Sequence, residues 1–172
     1  MNGKYLILFL IRFAEKNMEP LLDKTDLHIL QRMQENARIS NVELARELEM
    51  APSAVLERVK KLEQKKVIIQ YTTNINPNVL DQKLLAFIFI KATDGLGQST
   101  VGQALSKIPE VQEVHHIAGE DCYLVKVRTV DSTSLMNLMR NKFSKIPNIL
   151  STKTTIVLET VKEEQKLVIP KK

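Results

Sequence analysis

The sequence predicts an α+β chain of two successive units, three short helices followed by the order β-α-β-β-α-β. Three observations carry this. Apolar residues recur at helical spacing between residues 23 and 65, residues 67–80 hold no charge at all, and from residue 84 the pattern turns short and β-rich. The chain has 172 residues, of which 44% are hydrophobic and 26% charged, ordinary for a globular protein rather than a disordered or fibrous one. A single cysteine, Cys122, excludes an internal disulfide and a cysteine-based zinc cluster. Three histidines (His28, His115, His116) leave little for a metal site, no glycine-rich phosphate loop is present, and neither metal nor cofactor is expected. The excess of Lys and Arg over Asp and Glu, 25 − 20 = +5, permits an anionic partner. It is spread along the chain, so an anion-binding surface has to be one face of a folded element.

Residues 1–20 are read as an N-terminal extension. The apolar run Tyr5–Ile11 imitates a secretory leader, but Arg12 interrupts it and no small-residue cleavage pattern follows. It is also far short of the ~20 residues that cross a bilayer. Two readings stay open: an extra element packed on the body, or a fold that begins at Met18. No membrane association is expected, and the cytoplasm is the expected location.

In residues 21–66, Asp23 is placed to cap a first helix with Asp26 answering it, and Leu27, Leu30, Met33 and Ala37 form the apolar stripe. Ser40 and Glu43 make a capping box for a second helix of about nine residues, with Val42, Leu44, Ala45 and Leu48 inward. Pro52 suits the first position of a third helix, whose stripe is Val55, Val59 and Leu62. A short helix, a break of about three residues and another helix form a helix-turn-helix, in which the last helix enters the major groove. The outward face of the third helix carries Ser53, Glu57, Arg58, Lys61 and Lys65, and Arg38 precedes the second helix. Arg58 and Lys61 lie within one turn, where both could reach phosphate or a guanine edge. The competing reading is a solvated face, with Glu57 pairing Lys61.

The runs Leu22–Leu30, Ala37–Ala45 and Leu56–Glu63, in this order and spacing, resemble the Lrp/AsnC family of transcription regulators, over residues 21–158. Residues Val67–Thr72 resemble the family's strand after the recognition helix, so 67–82 is expected to be a connector strand and hinge of a winged-type unit. One departure is visible: the family usually has Ser before the proline that opens the recognition helix, and here it is Ala51.

In residues 83–158, Leu84–Ile90 is a buried-strand run and Gly95–Gly97 a turn. Val101, Ala104, Leu105 and Ile108 mark a helix that Pro109 ends. Val111–Ile117 and Tyr123–Val130 are two strands joined by residues 118–121. Asp131 or Ser132 caps a second helix with Leu135, Leu138, Met139 and Phe143 inward, and Ile149–Leu158 is a last strand. The order is that of the ferredoxin-like split motif. Its helices cover one face of an antiparallel sheet, and the bare face predicts a homodimer, sheet against sheet. The resemblance implies that this unit binds a small effector, commonly an amino acid, and builds dimers into octamers or similar assemblies. The family's loop signature, Gly-x-x-Asp before an aromatic, falls on Gly119, Glu120, Asp121, Cys122 and Tyr123, with Cys122 directly before the aromatic. Asp121 or Glu120 could hold an α-ammonium group; the alternative is an acidic turn without a ligand.

His115 and His116 alternate along a strand and cannot chelate one ion together. Cys122 reads as a small hydrophobe rather than a redox sensor. The tail, 159–172, carries the apolar triplet Leu167–Ile169 and is expected to dock or pair on a neighbour. No nucleophile–base pair or facing carboxylates suggest an enzyme. The resemblance implies a sequence-specific regulator of double-stranded DNA; the alternative is an architectural DNA binder of low specificity, or an amino-acid sensor without a dedicated operator.

Overall fold

A computed structural model describes residues 22–94, 99–119 and 122–170. The chain divides into two compact units, one of residues 22–73 with 164–170, the other Asn74–Glu163. The N-terminal extension and the turn at Gly95–Gly97 lie outside the described residues, as do Glu120 and Asp121.

The first unit holds α1 (Lys24–Glu35), α2 (Asn41–Glu47) and α3 (Pro52–Gln64). Both capping boxes form as the residues predict. Asp23 accepts from the Asp26 amide at 2.8 Å, and Ser40 accepts from the Glu43 amide at 3.1 Å. Ile29, Leu44, Ala45, Val55, Val59 and Leu62 make the core, with Leu30 and Met33 packed at its edge. Ile29 is fully buried although it stands outside the expected stripe, while Ala37 lies beyond the end of α1 and is exposed. Val42 is another departure, 47% exposed at the start of the seven-residue α2.

The turn between α2 and α3 closes without glycine. Glu49 takes φ 53°, and the Met50 amide reaches back to the Ala45 carbonyl at 2.9 Å. The same Schellman closure ends α3, where Lys66 sits at φ 58° and Val67 N–H bonds to Leu62 O at 2.9 Å. Beyond it, residues 69–76 contain no strand, which corrects the expected connector strand. A strand needs a neighbour to complete its hydrogen bonds, and these residues form no ladder with any described segment.

The second unit is β1 (Leu84–Ala92), α4 (Thr100–Leu105), β2 (Val111–His116), β3 (Tyr123–Thr129), α5 (Ser132–Asn141) and β4 (Ile149–Ile156). The sheet is antiparallel in the order β2-β3-β1-β4, the ferredoxin-like arrangement. Ala86, Ile88, Ile90, Val125 and Val127 face α4 and α5 and share a core with Val101, Leu105, Leu135, Leu138 and Phe143. Asp131, the first of the two expected caps, accepts from the Ser134 amide at 2.7 Å. Phe87, Phe89 and Leu124 point to the opposite face, which no helix covers among the described residues. Lys153 lies 5.7 Å from the Phe89 ring on that side.

Candidate nucleic-acid interface and regulatory loop

Along α3, Ser53, Glu57, Lys61 and Lys65 are all exposed, as is Arg38 in the turn before α2. Lys61, Lys65 and Arg38 make no ion pair among the described residues. Glu57 leans toward Lys60, at 3.9 Å, rather than toward Lys61. The three helix starts differ. α1 and α2 each bear an acidic capping box, but α3 has no acidic residue in its first turn and no side-chain cap at Ala51. The positive end of the helix that carries the basic face is therefore open to an anion.

Arg58 stands apart from that face. Its Nη1 donates to Asp23 Oδ2 at 2.7 Å and to Asp26 Oδ1 at 2.8 Å, and its side chain is only 33% exposed. The Asp23 bond, then the Asp26 bond, raises its pKa further above the ordinary arginine value. The structure thus places Arg58, expected beside Lys61 to reach phosphate or a guanine edge, between two carboxylates. Two carboxylates brought together by the α1 cap attract the nearest cation, and that cation is on α3.

In the regulatory unit, Gly119 adopts φ 156° and is exposed. The Cys122 thiol donates to the Ala92 carbonyl at 3.3 Å, and its amide bonds to Ile90 O at 2.8 Å. The Tyr123 ring is buried, stacked on His116 with centroids 5.0 Å apart, and its hydroxyl donates to Asp94 Oδ2 at 2.7 Å. Asp94 also accepts from Thr100 Oγ1 and from the Val101 amide. These bonds, the Thr100 bond foremost, hold its carboxyl below the usual range despite the opposing effect of burial. Tyr123 is therefore a core residue next to the loop rather than one open to solvent. Sequence reasoning missed Asp94, which is six residues from Thr100 and 29 from Tyr123; no local cap pattern marks such a hub. His115 turns the other way, to Glu113 at 3.1 Å.

Lys126 and Arg128 lie on the sheet face opposite α4 and α5, with side chains only 11% and 12% exposed. Glu163 pairs with both, and Glu113 also reaches Lys126, at 3.0 Å. Burial alone would lower the Lys126 pKa, but the bonds to Glu163 and Glu113 outweigh it and raise it. The tail docks through its backbone. Gln34 donates to Leu167 O at 3.1 Å and accepts from Leu167 N at 2.8 Å, while the Leu167 and Val168 side chains stay exposed. Among the described residues no group of His, Cys, Asp and Glu is arranged to hold a metal, and no helix is long and apolar enough to cross a membrane.

A helix-turn-helix with a basic outer helix, joined in one chain to a ferredoxin-like unit, defines a two-unit DNA-binding regulator. Comparison with known proteins gives the family. Residues 22–63 match the AsnC-type helix-turn-helix domain and residues 85–167 the Lrp/AsnC ligand binding domain. The leucine-responsive regulatory protein of Escherichia coli K12 is 37% identical over 150 residues, covering 86% of this chain and 92% of that protein. The structure of Escherichia coli AsnC superposes with a TM-score of 0.78 at 27% identity, covering 87% of this chain and 99% of that one. A feast or famine regulatory protein of Mycobacterium tuberculosis, complexed with L-methionine, gives 0.79 at 30% identity, over 87% and 99%. A Neisseria meningitidis transcriptional regulator, also complexed with L-methionine, gives 0.78 at 29%, over 86% and 96%. The chain belongs to the Lrp/AsnC family of DNA-binding transcriptional regulators.

Proposed function

We propose that this chain is a sequence-specific regulator that reads DNA with α3 and answers to an amino acid bound by its second unit. The observation that carries the reading is the exposed face of Ser53, Glu57, Lys61 and Lys65 on a helix whose positive end is uncapped. Lys61, Lys65 and Arg38 supply phosphate contacts, while Ser53 and Glu57 sit nearest the start of α3, the end that approaches base edges. The effector is a free amino acid, in keeping with the methionine complexes of two relatives. Gly119, Glu120, Asp121 and Cys122 are the residues that answer to it, next in sequence to Tyr123, whose hydroxyl is bonded to Asp94.

The working unit is a homodimer, assembling further to an octamer or similar form. The apolar patch Phe87, Phe89 and Leu124 on a face without helices supports a second sheet there. Two copies of α3 then enter successive major grooves of a pseudo-palindromic site. Amino-acid binding shifts the balance between assemblies and so alters DNA occupancy, which requires different affinity for the two states. The protein works in the cytoplasm, where its DNA is, and catalyses nothing.

The test is a gel shift on the DNA upstream of the protein's own gene, at about 0.15 M salt, where phosphate-only binding weakens, with excess random competitor. Discrete stepped bands are expected. A smear that competitor abolishes would reduce the protein to a non-specific binder of that fragment.

A further inference from the structure

We propose that Arg58 is a positioning residue for DNA recognition, a clamp that sets the angle of α3 against α1 rather than a reader of bases. This rests on α3 being the recognition helix. The four carboxylate oxygens of Asp23 and Asp26 divide their work evenly. Asp23 Oδ1 and Asp26 Oδ2 accept the backbone amides of the capping box, at 2.8 and 3.4 Å, and the other two oxygens both accept from Arg58 Nη1. One arginine nitrogen thus closes the α1 cap and holds the middle of α3 in the same network. Charge-assisted bonds of this kind are short and directional, so the network fixes orientation as well as distance.

The far end of α1 bears a matching clamp on α2. Arg32 bonds Glu47 through Nε at 2.8 Å and Nη2 at 2.9 Å. α1 is therefore a frame with α2 tied near one end and α3 at the other. The outer face of α3 meets a duplex at the angle this frame sets. A base-reading arginine would need its guanidinium free; here two carboxylates hold it, and their charge would repel a phosphate brought close.

The decisive variant is Asp26→Asn. It keeps an oxygen for the capping box and removes a negative charge from a DNA-binding unit, so on charge alone DNA binding should hold or strengthen. The probe is the duplex that the parent protein enriches from a randomised pool, compared with a scrambled duplex in fluorescence anisotropy. The clamp predicts that Asp26→Asn and Arg58→Ala each weaken binding to the enriched duplex by about tenfold, and that the double variant is no worse than either single one. Arg58→Lys, whose ammonium can still sit between the two carboxylates, should recover most of the affinity, although lysine cannot copy a bidentate guanine contact. Circular dichroism melts check that each variant is folded; if Arg58→Ala is not, Asp26→Asn and Arg58→Lys decide alone. The proposal is overturned if Asp26→Asn binds as well as the parent while Arg58→Lys loses discrimination at a single base pair. A parent that enriches no sequence overturns specific DNA reading itself, and the proposal with it.

Discussion

The Tyr123 hydroxyl donates to Asp94 across 2.7 Å, joining the start of β3 to the segment that leads into α4. Asp94 is the acceptor of three donors there, so removing one is felt by the whole corner. Tyr123→Phe should cost about 1 kcal/mol, the net worth of one hydrogen bond, read as a lower midpoint in urea unfolding.

The same pair contributes to the pH dependence of the unit's stability at both ends of the range. Asp94 is held below its ordinary value, so its contribution is present above the unfolded carboxylate range and lost as pH falls through the folded value, below about 4. Tyr123 is raised above 10.0, chiefly by burial and then by Asp94. Its contribution is whole below the unfolded value and is lost as pH climbs past about 10 toward the folded value. Unfolding curves across pH should show both losses in the parent, and the difference between parent and Tyr123→Phe should grow smaller above pH about 10.

Gly102 faces the Tyr123 ring inside α4. Helix propensity alone says that Gly102→Ala stabilises by about 1 kcal/mol. A Cβ there would lie 2.8 Å from Tyr123 Cε1, however, and the ring is held between Asp94 and His116. Overpacking of this kind costs about 1–3 kcal/mol, so the contact outweighs the propensity. Thermal melting of Gly102→Ala should show a lower midpoint.

Glu49 and Lys66 both adopt left-handed backbone at a helix end, where glycine is the usual residue. Glycine relieves the strain but costs entropy in the unfolded chain, leaving a net gain of about 0.5–1 kcal/mol for Lys66→Gly. Ala51→Ser should add a similar amount by supplying the missing cap of α3. Neither gain would appear in urea unfolding if these helix ends were already relaxed.

Most of the fold was legible because its signals are local. The Asp23–Asp26 and Ser40–Glu43 boxes, Pro52 and the buried-strand run that became β1 each act within a few residues, and each formed where expected. The closures at Glu49 and Lys66 escaped notice because no glycine marks them. The connector was expected to be a strand because it resembles the family's, but a resemblance cannot supply a neighbour. At the interface, helical spacing did put Arg58 within a turn of Lys61. It could not say that α1 folds back to offer two carboxylates, although two acids at one helix start already implied a cation nearby.

Lys61 differs from Arg58 in having no ion pair among the described residues. Lys61→Ala should weaken binding to enriched and scrambled duplexes alike and flatten the slope of log affinity against log salt by about 1. A salt slope equal to the parent's would remove Lys61 from the phosphate contacts.

As proposed, α3 reads sequence and the second unit answers to an amino acid. Anisotropy at about 0.15 M salt, on the enriched and scrambled duplexes with and without L-methionine or L-leucine, tests both halves together. Binding to the enriched duplex should be at least about a thousandfold tighter, and one of the amino acids should change it by about five- to 150-fold. Equal affinity for the two duplexes, unmoved by either amino acid, would rule out both properties.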